Sequence, residues 1–242
     1  MAEHLIAVVG SSPGVGKSTL CSALARWIDG TGAVVDHFQE ADVLTRASFR
    51  AVAEEFAGGT GSVRPRTLVQ ATKVYVEQAR AGGVDVLVTD ALIPFVPSLV
   101  AWGHDETSIA QVVHDLEEAV EPTRVSVVFL RGDPEAALRR AVEREGPEWT
   151  DWYVGKLRRS PGTRTVNDLA SAADHLRRES ELTLRVLAAT RWNVLVVEVG
   201  ERDAAQTEEY VRERLRGLLG EDLPGHGTQS WPGGDTSPGE EA

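Results

Sequence analysis

The chain has 242 residues, 42% of them hydrophobic, a single cysteine and a formal charge of −12. That apolar content suffices for one α/β domain with a core, with or without a lid. The acidity argues against a general binder of nucleic acid or anionic membranes, and one cysteine excludes an intrachain disulfide.

The opening MAEHLIAVVG carries an acid before a short apolar run and has no basic segment. It therefore reads as a buried strand at 5–9, ending at Gly10, rather than as a signal peptide. A Gly/Ser/Pro loop follows, then a helix at 18–29 whose Leu20, Leu24, Trp27 and Ile28 share one face, with Gly30 and Gly32 behind it. A second strand is expected at 33–38, a helix at 44–57, a glycine-rich loop at 58–66 and a helix at 67–81 closed by Gly82 and Gly83. A third strand, 84–89, runs into Asp90. Pro94 and Pro97 predict an irregular stretch, followed by a helix at 107–119 and a fourth strand at 125–130. Asp133 and Pro134 read as an N-cap and first helical residue, and Gly146-Pro147 breaks that helix. Residues 148–163 predict short irregular pieces, 165–190 a long helix, 193–199 a fifth strand and 203–219 a last amphipathic helix. Residues 221–242, with five acids and no Lys or Arg, predict a disordered acidic tail. No stretch reaches the roughly 18 apolar residues of a membrane helix, so a soluble, cytoplasmic protein is expected. Alternating strands and helices predict a five-stranded parallel sheet with helices on both faces, as one domain over 1–220. Chemistry should gather in the loops beyond the carboxyl ends of the strands.

The loop after the first strand reads VVGSSPGVGKSTL. From Ser11 it matches G-x-x-x-x-G-K followed by Ser or Thr, with Ser11 in the place of the leading glycine. Such a loop turns successive amides into one concavity, and the following helix adds its positive end. Ser12, Pro13, Gly14, Val15, Gly16, Lys17, Ser18 and Thr19 are the expected triphosphate contacts. Lys17 would reach the β- and γ-phosphates, and the Ser18 hydroxyl would ligate Mg²⁺. The bland alternative, a glycine-rich turn with an incidental lysine, fits the flanking strand and amphipathic helix less well. Cys21, behind the loop, reads as a buried small residue.

There is no N-K-x-D, no D-x-x-G after the second strand, no L-S-G-G-Q, and position 12 is Ser rather than the extra lysine of partitioning ATPases. The segment VVFLRGDPEAALRRAVEREG resembles the fourth strand and following helix of the nucleoside and nucleotide kinases, including the thymidylate-kinase-like group. The resemblance covers residues 5–30, 84–90 and 125–146. It implies a three-layer P-loop kinase fold, ATP and Mg²⁺ as cofactors, and an arginine-bearing lid at about 146–165. Arg140 and Arg144 share a helical face and, with Arg158, Arg159 and Arg164, could neutralise charge on a transferred phosphoryl group. The competing reading is a solvated face paired with Glu143, Glu145 and Glu148. Many members carry an arginine after the acid that ends the third strand, whereas here Asp90 is followed by Ala91.

Beyond the second strand, Glu40 is the first candidate to accept the proton of an attacking hydroxyl and Asp42 the second, although Asp42 could equally cap the next helix. Asp90 is the candidate acid for the metal, shared with Ser18. The acceptor pocket is expected among 40–50, 64–75 and 91–104, with Arg46, Arg50, Gln70, Trp102 and Arg158 as candidate substrate contacts and Tyr75 and Phe95 as further aromatics. These residues predict transfer of the γ-phosphate of ATP to a hydroxyl of a small, nucleoside-like molecule. The alternatives are an antibiotic-modifying O-phosphotransferase, a kinase with a phosphate acceptor, and a switch ATPase that transfers nothing. No nucleic-acid or membrane partner is expected, and a homodimer is left open.

Overall fold

A computed structural model of the chain describes residues 2–58, 61–200 and 202–219. The acidic tail expected at 221–242 lies outside the described residues. Five strands, β1 (His4–Val9), β2 (Val35–Phe38), β3 (Val86–Thr89), β4 (Arg124–Arg131) and β5 (Asn193–Glu198), form one sheet in the order β2-β3-β1-β4-β5. Every pairing is parallel. All six residues of β1 are buried, as the uninterrupted apolar run requires of a central strand covered on both faces.

Strand alternation divides the core in two. Leu5, Ala7, Leu87, Val127 and Phe129 face α4 (Pro65–Ala81) and α6 (Glu106–Ala119). Ile6, Val8, Val88, Val128 and Leu130 face α1 (Lys17–Asp29) and α10 (Ala204–Leu219). Fully buried Phe38, Phe49 and Phe129 anchor the first core, each stabilising by about 1.5–3 kcal/mol. A third, smaller core lies away from the sheet. It joins α7 (Pro134–Glu145), α8 (Glu148–Arg159) and α9 (Leu169–Ala188) through Leu138, Tyr153, Val166, Ala172, Ala173 and Leu176.

Local chemistry sets the helix starts. Asp133 accepts from Ala136 N at 3.1 Å, with Pro134 as the first helical residue. Asp168 accepts from Ser171 N at 2.7 Å in a capping box, which starts α9 later than position 165. Three expectations are corrected. The helix expected at 44–57 is three pieces, α2 (Asp42–Thr45), a 3₁₀ turn (Ala47–Phe49) and α3 (Arg50–Gly58), because Arg46 takes an extended backbone. The stretch after Pro94 contains a short helix, α5 (Val96–Ala101), in which Pro97 occupies the first turn, where no amide donor is needed. Residues 148–159 are one continuous helix rather than short pieces. Tyr153 and Val154 are buried, and Tyr153 stacks on Trp149 at 4.6 Å; this packing overrides the broken look of the sequence. No helix among the described residues is long and apolar enough to cross a membrane.

Candidate active site

The chain leaves β1 outward to β2, returns to β3 beside β1, then crosses to β4 on the other flank. This reversal is where parallel sheets open a crevice at the strand ends. The register places Phe38 beside Thr89 and Thr89 beside Ala7. Glu40, Asp90 and the loop after Val9 therefore emerge along one edge.

The loop itself is shaped by close approaches. A Cβ on Gly14 would lie 2.8 Å from the carbonyl oxygen of Ala137, and Gly14 and Gly16 have φ of 75° and 103°. Ser11, in the leading glycine's place, is outside the left-handed region, because among the described non-glycine residues only Phe95 has positive φ. A side chain is thus tolerated there, and its buried Oγ has no hydrogen-bond partner. No side chain caps α1. The amides of Lys17, Ser18 and Thr19 open the helix with no intrahelical acceptor, and the first helical bond runs from Leu20 N to the Gly16 carbonyl at 3.0 Å. The Ser18 and Thr19 side chains are exposed beside them, while Ser12 and Val15 are buried beneath and Pro13 is half-buried.

Lys17 folds back over this loop and donates from Nζ to the Ser12 carbonyl at 3.1 Å. Burial pushes its pKa below the usual lysine range, against the opposing charges of Asp90, Glu40 and Glu179. Asp90 is half-buried, and its Oδ1 is buried without a hydrogen-bond partner. Thr89 Oγ1 accepts from the amides of Ala91 and Leu92 at 3.1 and 3.0 Å and turns the chain away just beyond it. Glu40 is exposed, two residues past β2. Cys21 is buried, and burial, with the Asp90 charge second, raises its thiol well above the usual range.

The other candidates are placed differently. Asp42 accepts from Gln39 N at 2.9 Å and from Arg46 at 3.3 Å, a local helix-start role. Arg46 is held by Asp36 through two bonds of 2.7 Å and lies 5.3 and 5.4 Å from the ring centroids of Phe38 and Tyr75. That fork is filled from within the fold. Arg50 is exposed, 3.8 Å from Glu54, and Gln70 is exposed on α4. Arg140 and Arg144 fall on the same stripe of α7 as Ala137 and Ala141, the residues that meet Gly14. Both are exposed, and Arg144 bonds Glu145 at 2.7 Å. Arg158 is exposed on the last turn of α8.

Trp102, half-buried at the end of α5, lines a groove of about 850 Å³ with Ala51, Glu54, Arg64, Pro65 and His104. Its wall is fixed by Glu55, which accepts from Arg64 Nε, Arg64 N and Thr67 Oγ1 at 2.8, 3.0 and 2.7 Å. The side-chain bond from Arg64, first, holds the Glu55 carboxyl down at about 2. Because the folded value lies below the unfolded one, near 4.5, its stabilisation is complete above pH 4.5 and is lost as pH falls toward 2. Glu55→Gln should therefore lower the urea midpoint at pH 7, and the gap from wild type should narrow as pH falls from 4.5 toward 2; a gap independent of pH would contradict this.

Sequence reasoning missed Glu179 and His175 on α9. Glu179 is 5% exposed and His175 8%, with His175 Nε2 3.4 Å from Glu179 Oε2. Glu179 Oε1 is buried with no partner, and its charge, after burial, raises the Tyr153 phenol. The available signal was a carboxylate on the buried stripe Ala172, Leu176, Glu179, Thr183. Searches of protein-family models and of curated proteins find no match to this chain.

Proposed function

We propose that the protein is an ATP-dependent phosphotransferase that moves the γ-phosphoryl group to a hydroxyl of a small molecule. The observation that carries the reading is Lys17, tethered over an uncapped helix start with Asp90 and Glu40 in its field. A triphosphate on the amides of residues 14–19 would draw the Lys17 ammonium off the Ser12 carbonyl and onto its own oxygens. The partnerless Oδ1 of Asp90 and the exposed Ser18 hydroxyl suit Mg²⁺, with phosphate oxygens and water completing its shell. Bound there, Mg²⁺ would neutralise charge on the phosphate oxygens.

In this reading the acceptor oxygen attacks the γ-phosphorus and its proton passes to Glu40. The bond to the β-phosphate oxygen breaks and ADP leaves. Glu40 is exposed and carries no structural partnership of the kind that occupies Asp42, which favours it as the base. Arg140 and Arg144, on the helix that meets Gly14 at Ala137 and Ala141, would approach the phosphates, with α8 and the turn after it as the lid.

A panel of nucleosides, sugars and hydroxylated antibiotics with Mg-ATP tests the reading by ADP formation. Some acceptor should speed ADP release far above background hydrolysis, and Glu40→Gln should cut that rate by roughly 10²–10⁴. If every acceptor leaves the rate at background although Mg-ATP binds, a nucleotide-driven switch replaces the kinase. If phosphorylated acceptors turn over and Glu40→Gln is harmless, the acceptor is a phosphate.

A further inference from the structure

Glu179 has no role in the machinery just described. Its side chain is 4% exposed, yet Oε1 touches no donor. A buried carboxylate with an idle oxygen is destabilising unless something supplies a donor. The surroundings supply little. His175 sits 3.4 Å from the other oxygen, Tyr153 is set in apolar packing against Trp149, and Thr183 turns its hydroxyl to the Glu179 backbone carbonyl at 2.8 Å. Its helix, α9, packs along α7, and α7 borders the phosphate loop, meeting Gly14 at Ala137. Its charge acts on Lys17 in the same sense as those of Asp90 and Glu40.

We infer that Glu179 is a specificity residue whose free oxygen accepts a hydrogen bond from the acceptor molecule, and that this acceptor is neutral or cationic, a polyol or amino-alcohol, rather than a phosphate ester. The inference rests on the phosphotransferase reading and narrows its substrate class. Lys17 and the metal are spent on the triphosphate. A second phosphate entering the same crevice would meet carboxylates it cannot pair with, and like charge in a desolvated site is a strong means of exclusion. A hydroxyl or ammonium donor instead satisfies Oε1, and a site built to bond a donor strongly rejects analogues that lack it.

The test uses the full chain with Mg-ATP and sugar and nucleoside scaffolds, each offered as the neutral, amino and phosphorylated form. Binding of a non-hydrolysable ATP analogue is measured in parallel. Wild type should turn over neutral or amino members. Glu179→Gln, which keeps an acceptor oxygen but removes the charge, should raise the KM of the amino member about ten-fold or more, with the nucleotide Kd unchanged. Preferred turnover of phosphorylated members, or an unmoved KM in Glu179→Gln, overturns the inference and leaves the phosphotransferase reading standing. No turnover of any member by a wild type that binds nucleotide overturns both. Should Glu179→Gln fail to fold, the wild-type preference among the three forms still decides.

Discussion

Replacing Lys17 by alanine is expected to reduce phosphoryl transfer by about a thousandfold or more while leaving the protein folded. Removal of one preorganised donor to developing charge typically lowers turnover by about 10²–10³, and a full ammonium on the β- and γ-phosphates acts at the upper end. Mg-ATP affinity should weaken as well, because the amides of the loop remain but their single cation is gone. The folded state should lose little, since burial already works against the charge of Lys17 and, among the described residues, its direct bond is to the Ser12 carbonyl. Lys17→Arg should not rescue, because a planar fork cannot sit where a compact ammonium sits. Single-turnover rates and calorimetric titration with Mg-ATP check this. A Lys17→Ala protein within tenfold of wild type would remove the basis of the phosphotransferase reading.

Gly162→Ala is expected to destabilise the fold by about 3 kcal/mol, with a Tm lowered by roughly 6–12 °C. The 3₁₀ turn Pro161–Thr163 runs so close to the end of α5 that a Cβ at position 162 would overlap the carbonyl oxygen of Val100. The obstacle is backbone and cannot swing aside, so the turn must retreat from α5. Gly155→Ala is the matched control. It sits inside α8, where an added Cβ meets only the mobile end of Arg159 at 3.7 Å. There alanine should be neutral or stabilising by up to about 1 kcal/mol, since glycine is a poor residue in a helix interior. Parallel thermal melts decide, and equal melting temperatures for the two variants would refute the close approach.

The sheet was legible because a central parallel strand must be apolar on both faces, and LIAVV, VLVT and VSVVFLR have no other economical placement. The loop at 10–16 was legible for a similar reason: Gly14 and Gly16 stand where positive φ is needed, and Lys17 follows at once. What stayed hidden depended on contacts distant in sequence. Arg46 looked free for a ligand, but its partner Asp36 lies ten residues earlier in a strand. Residues 148–159 looked broken because Trp, Gly and Arg are mixed there, and only the seam with α7 and α9 makes them helical. Glu179 lies inside the long helix expected at 165–190 and drew no reading of its own. Its burial is set by how that helix packs, which one chain's periodicity indicates only to a reader already asking why an acid stands on an apolar stripe.

The small core shared by α7, α8 and α9 has a thermal consequence. Those helices are zipped to one another by Leu138, Tyr153, Val166 and Leu176, separately from the two seams that grip the sheet. In native-state amide exchange, α8 should open with lower free energy than β1 or β4 and take its neighbours on α7 with it, because a satellite seam can come apart before the strands do. Whatever sits on the loop would then feel a flank able to breathe over a floor that stays shut.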